Sequence, residues 1–107
     1  MFFAAKIRAV AEAVGVEISF PRTLEALVQK VREEKPRLII VDLHNQKIDA
    51  NALANELKSE KIPLLGFFSH VQTELQRNAI AAGFDQVIPR SVFARDLEKI
   101  LTADNAD

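Results

Sequence analysis

Asp42, His44, Phe68, Ser69, His70 and Arg90 stand where apolar runs of the chain give out. Asp42 follows Leu38-Ile39-Ile40-Val41, Ser69 and His70 follow Leu64-Leu65-Gly66-Phe67-Phe68, and Arg90 follows Val87-Ile88-Pro89. A carboxylate in such a place can accept a phosphoryl group, hold a hard cation or pair with a guanidinium. Arg90 keeps a positive charge beside it, so an ion pair between Asp42 and Arg90 is expected. Nucleophilic catalysis needs a nucleophile, a base and a group that orients the base, and no such set is visible. His44 and His70 are therefore read as exposed loop residues, His70 with somewhat more interest because it adjoins Ser69 at the rim of the pocket. The absence of Cys excludes thiol catalysis, disulfides and Cys-based zinc or iron–sulfur sites. The three Gly form no phosphate-cradling loop: Gly15 and Gly83 read as helix stops and Gly66 lies inside an apolar run.

These positions make a site only if the runs before them are neighbouring strands. Residues 38–41 and 64–68 are apolar throughout, as strands of a parallel sheet covered on both faces are. Residues 16–20, Val-Glu-Ile-Ser-Phe, alternate instead and predict a half-buried strand ended by Pro21. Val87-Ile88, closed by Pro89, predicts a short fourth strand. Helical spacing recurs between them. Phe3, Ile7, Val10 and Val14 precede Gly15; Leu24, Leu27, Val28 and Val31 follow Thr23, a good N-cap, and precede Pro36. Ala50, Leu53, Ala54 and Leu57 follow Asp49, residues 72–82 precede Gly83, and Phe93, Leu97, Ile100 and Leu101 follow Ser91 as cap. The order α-β-α-β-α-β-α-β-α implies a parallel sheet with helices on both faces and right-handed crossovers. The crevice of such a sheet lies beyond the carboxyl ends of its strands, where Asp42, Ser69, His70 and Arg90 fall.

The 107 residues make one domain, 1–107, with a polar tail over 102–107 that is expected to fray. Lys and Arg number 14 against 15 Asp and Glu, a net charge of −1, which speaks against a nucleic-acid ligand held through its phosphates. Arg22, Lys30, Arg32 and Arg37 are interleaved with Glu25, Glu33 and Glu34, a solvated mixed-charge surface. No apolar run reaches the ~20 residues of a bilayer span. Lys6 and Arg8 interrupt the N-terminus too early for a secretion signal. No membrane is expected, and a cytoplasmic location is. Phe3, Phe20, Phe67 and Phe93 are expected in the core, Phe68 and Phe84 at the pocket mouth.

Three segments carry a resemblance. KPRLIIVDL, residues 35–43, is similar to the third strand of bacterial response-regulator receiver domains, where Pro-x-Leu-apolar-apolar-apolar-Asp ends in the phosphoacceptor aspartate. IPLLGFFS, 62–69, resembles their fourth strand. AGFDQVIPRS, 82–91, resembles their Ala-Gly-Ala-Asp segment, which leads into the fifth strand. The three follow in order, at fitting separations, over nearly the whole chain. The resemblance implies an α/β, flavodoxin-like, doubly wound parallel sheet with five helices and four strands present, the family's first strand missing. It puts Asp42 at the phosphoacceptor position. The family's Mg²⁺-binding acidic pair would fall before Met1. Its Thr falls on Phe68, with Ser69 next; its Lys falls on Arg90 and the following Pro on Ser91. Asn45-Gln46 stand in place of its Met-Pro.

Phosphoryl transfer to a carboxylate brings two anions together and relies on a metal ion to neutralise them. Mg²⁺ usually takes one or two carboxylates. Asp42 is the candidate metal position, and without the acidic pair no cofactor is expected. Asp42 is thus read as a retained strand-end carboxylate, paired with Arg90 and no longer phosphorylated. The chain is read as a non-enzymatic, degenerate receiver-like domain of a bacterial two-component or related pathway. Its partner would be a signalling protein, a histidine kinase or an effector, met by the face of the fourth helix, last strand and fifth helix. Two other readings stay open: a functional phosphoreceiver with its first strand encoded upstream, and a small nucleotide-binding or enzymatic domain of the same fold. Loss of a central strand leaves backbone groups or apolar surface to be covered. A homodimer, with the N-terminal segment exchanged, is the expected consequence.

Overall fold

The computed structural model describes residues 3–45, 47–69 and 73–103; Gln46, His70, the side chain of Phe3 and the tail from 104 lie outside the described residues. Strands β1 (Ile39–Asp42), β2 (Leu64–Phe68) and β3 (Gln86–Pro89) pair in that order, all parallel. The register sets Asp42 opposite Phe67 and Phe68 opposite Pro89. The central strand β2 is buried at every position, the reason its run is apolar throughout.

Successive side chains leave a strand on opposite faces, and two cores follow. On one side, Val28 and Val31 of α2 (Leu24–Glu34), Leu53, Ala54 and Leu57 of α3 (Ala50–Leu57) and Ala79 of α4 (Thr73–Ala82) pack with Ile39, Val41 and Leu64. On the other, Ile7 and Ala11 of α1 (Phe3–Val14), Phe93 of α5 (Arg90–Arg95) and Leu97 and Leu101 of α6 (Leu97–Thr102) pack with Leu65 and Phe67. This is the doubly wound arrangement expected from the element order.

Helix ends follow local chemistry. Thr23 Oγ1 accepts from the Ala26 N–H at 3.0 Å, and Asp49 Oδ1 accepts from the N–H groups of Asn51 and Ala52 at 2.9 and 3.3 Å. Gly15, at φ +75°, lets α1 stop with the Val16 N–H on the Ala11 carbonyl at 2.9 Å. Glu60, in a 3-10 turn (Lys58–Glu60), lies 3.4 Å from Arg32 and 3.5 Å from Lys35 and ties α2 to the end of α3. The cations of these pairs are exposed, and surface pairs of this kind each contribute about 1 kcal/mol or less.

Residues 16–20 are not a strand. They run extended, with Val16, Ile18 and Phe20 half-buried against the α1 side of the core and Glu17 and Ser19 exposed. The Arg8 guanidinium sits 4.7 Å from the centre of the Phe20 ring, so that residue is held at the surface edge of the core. The alternation reported burial correctly, but a strand also needs a backbone neighbour, and the described partner of β1 is β2 alone. The sheet therefore has three strands among the described residues, not four.

The expected fifth helix starts at Arg90 with Pro89 as N-cap, so Ser91 lies inside its first turn, and it breaks at Asp96 (φ −102°, ψ 16°). That break makes six α-helices among the described residues in place of five. The Arg95 guanidinium donates to both Asp96 carboxylate oxygens, at 3.0 and 3.1 Å, and holds that carboxyl below the usual carboxylate range. Phe84 is a core residue, 5% exposed, rather than part of a pocket mouth. Thr102, placed in the frayed tail from sequence, ends α6 instead.

Candidate functional site

The carboxyl ends of β1 and β2 are joined by hydrogen bonds that run through one side chain. The ladder continues one residue past β1, with the Leu43 N–H on the Phe67 carbonyl at 3.0 Å. The chain then turns. Asn45 N–H returns to the Asp42 carbonyl at 3.0 Å, and Asp42 Oδ1 accepts from the His44 N–H at 2.9 Å. An Asp that bonds the backbone two residues on makes an Asx turn. Lys47 N–H repeats the pattern on Asn45 Oδ1 at 2.9 Å. Turned in this way, His44 reaches the end of β2, where its Nε2 accepts from the Ser69 N–H at 3.0 Å. Asp42, His44 and Ser69 are all half-buried.

The structure thus brings Asp42, His44 and Ser69 together. Phe68 precedes Ser69 and is 2% exposed. Its phenyl ring has no hydroxyl to offer to a bound oxyanion. Arg90 follows Pro89 beside Phe68 in the register, is half-buried and has contacts of its own. The expected ion pair does not form: Asp42 is in none of the ion pairs among the described residues, which join 30 to 34, 32 to 56 and 60, 35 to 60, and 95 to 96. The carboxylate oxygen is directed to the turn instead. His70 lies outside the described residues. Among the described residues Asp42 and His44 are the metal-capable side chains at the strand ends, and no three His, Asp or Glu side chains cluster to hold an ion.

His44 is the residue whose role sequence reasoning missed. Its surroundings in sequence predict an exposed loop residue, whereas it is half-buried and bonded across 25 positions of sequence. Its one local signal is a place two residues beyond a strand-ending Asp, the Asx-turn spacing. An open cleft of 340 Å³ lies to one side of the strand ends, between Leu43, Asn45 and Asp49 on one wall and Leu75, Asn78 and Ala79 of α4 on the other. At the opposite end of the sheet, Asp85 Oδ2 accepts from the Leu64 N–H at 2.8 Å and fixes where β2 begins.

No family model and no curated protein matches the chain. Solved structures do. The signal receiver domain of a protein described as a Luxo repressor, from Vibrio parahaemolyticus, superposes with a TM-score of 0.73 at 18% identity, over 92% of this chain and 77% of that one. The receiver domain of NtrX from Brucella abortus gives 0.71 at 19% identity, over 92% of this chain and 88% of that one. The chain has the α/β fold of a response-regulator receiver domain.

Proposed function

We propose that this receiver-like domain signals by binding another protein and does not carry a phosphoryl group. The observation that carries the reading is Phe68. At the position where the resemblance expects a hydroxyl, the chain has a phenyl ring that is 2% exposed. A phosphoryl oxygen beside it would lose a hydrogen bond and gain an apolar neighbour, an unfavourable exchange for a dianion. Asp42 is in addition engaged in the fold, its Oδ1 accepting the His44 N–H of the turn it organises. The domain on this reading is non-enzymatic and cytoplasmic, belongs to a bacterial two-component or related pathway, and needs no resident cofactor. Its partner, a histidine kinase or an effector, meets the face of α4, β3 and the last helical stretch, α5 and α6; Ile80 of α4 is 55% exposed.

Incubation with acetyl phosphate and Mg²⁺ is expected to leave the intact mass unchanged. A stoichiometric adduct lost in Asp42→Asn would overturn the reading in favour of a functional phosphoreceiver.

The reading includes a homodimer. The outer edge of β1 has no ladder partner among the described residues, and Ile40, whose backbone groups face that edge, is half-buried. An open strand edge of this kind is a template for pairing, and a second copy covers it at little cost. Light scattering over a dilution series is expected to give the mass of two chains, falling to one at low concentration. A monodisperse monomer at high micromolar concentration would sink the dimer.

A further inference from the structure

We propose that His44 is a built-in plug, an imidazole held in place to occupy the backbone donor at the end of β2 and so close the strand-end crevice to outside acceptors. The inference rests on the reading above and says how the closed state is maintained. The Ser69 N–H, just beyond β2, is the kind of donor that an anionic or carbonyl oxygen entering the crevice would use. It is already used: His44 Nε2 accepts from it at 3.0 Å. A ring nitrogen that accepts a hydrogen bond carries no proton, so this tautomer has its hydrogen on Nδ1. The acceptor that fills the place is therefore uncharged and belongs to the chain itself.

The plug is aimed by its own turn. Asp42 Oδ1 takes the His44 N–H at 2.9 Å and the Asp42 carbonyl takes the Asn45 N–H at 3.0 Å, so the backbone that carries the ring is fixed twice at the end of β1. Asp42 acts here as a positioning residue. What it supplies is an oxygen, not a charge, and an amide oxygen serves an Asx turn equally well. Asp42→Asn should therefore keep the plug and Asp42→Ala should release it. A role through charge would make the two variants alike.

The test follows the Ser69 amide in the ¹⁵N-labelled full chain, by hydrogen exchange and by its shift on addition of inorganic phosphate. In the natural sequence the amide is expected to be protected and unmoved by phosphate. His44→Ala is expected to lower its protection by about five- to tenfold, the worth of one hydrogen bond, and to let phosphate shift it. His44→Gln, whose side-chain oxygen can accept in place of Nε2, is expected to restore most of the protection. Core amides such as Leu65 report whether the effect is local. If His44→Ala loosens the core as well, Asp42→Ala read against Asp42→Asn decides. A Ser69 amide that exchanges freely in the natural sequence, or stays protected in both His44→Ala and Asp42→Ala, would overturn the plug. Neither result depends on the mass measurement with acetyl phosphate, so failure of the plug and failure of the non-phosphorylated reading are distinguishable.

Discussion

Phe93→Ala is expected to lower the unfolding free energy by about 3–5 kcal/mol, the usual range for emptying a buried aromatic site. Phe93 is 0% exposed and stacks on Phe67, with ring centres 4.4 Å apart and planes 11° from parallel. An aromatic pair adds about 0.5–1.5 kcal/mol beyond its buried area. The residue is also the joint between two elements, since Phe67 is in the central strand and Phe93 is the buried side chain of the six-residue α5. A helix that short has almost no stability of its own, so α5 holds its shape through this contact. With a domain of this size stable by about 5–15 kcal/mol, the variant is expected to unfold at much lower urea. Ile80→Ser, at a side chain 55% exposed, is the control and is expected to stay within about 0.5 kcal/mol. A Phe93→Ala protein within 1 kcal/mol of the natural one, a threshold set well under the cavity range, would mean that the second core is not organised around this stack.

What the sequence could disclose was whatever is encoded locally. Thr23 and Asp49 were legible as caps because a cap bonds N–H groups two or three residues on. Residues 64–68 were legible as an inner strand because burial on both faces leaves no polar position, and residues 38–41 were legible as a strand although β1 lies at the edge of the described sheet with one face only half-buried. Residues 16–20 misled for the complementary reason: their alternation records which side chains are covered, while pairing depends on a neighbour that no local pattern reports. The break of the last helix at Asp96 was hidden because Phe93, Leu97, Ile100 and Leu101 keep a helical spacing across it. At the site, Asp42, Phe68 and Ser69 were found by their strand-end positions. The direction of the Asp42 carboxylate was not, because the turn that its Oδ1 organises through the His44 N–H is a local bond that strand-end position alone does not report. The bond between His44 and Ser69 joins two loops far apart in sequence, so neither residue betrays the other.

Gly66→Val is expected to destabilise by about 1–3 kcal/mol, the range for overpacking a filled core. It is also expected to disturb the strand-end site, although Gly66 is no part of that site. A Cβ at position 66 would stand 3.1 Å from Leu43 Cγ, Cδ1 and Cδ2. Leu43 is the residue between Asp42 and His44, and it packs on the α2–α3 side of the core. Two effects oppose each other. Valine suits a strand better than glycine, by up to about 1 kcal/mol. Its branched methyl groups must also displace a whole isobutyl group, since all three of the nearest atoms belong to Leu43. The steric term is the larger, because the Leu43 backbone is held by its N–H on the Phe67 carbonyl at 3.0 Å and cannot retreat without losing that bond. The strain is therefore passed to the turn that carries His44, and the Ser69 amide is expected to lose protection along with stability. A double-mutant cycle isolates the contact. In a Leu43→Ala background, Gly66→Val is expected to cost less by roughly 1 kcal/mol or more, because the space it needs has been vacated. Additive costs in the cycle, with Ser69 protection unchanged in Gly66→Val, would mean that Leu43 moves aside without moving the turn and that the glycine is there for some reason other than closeness to Leu43.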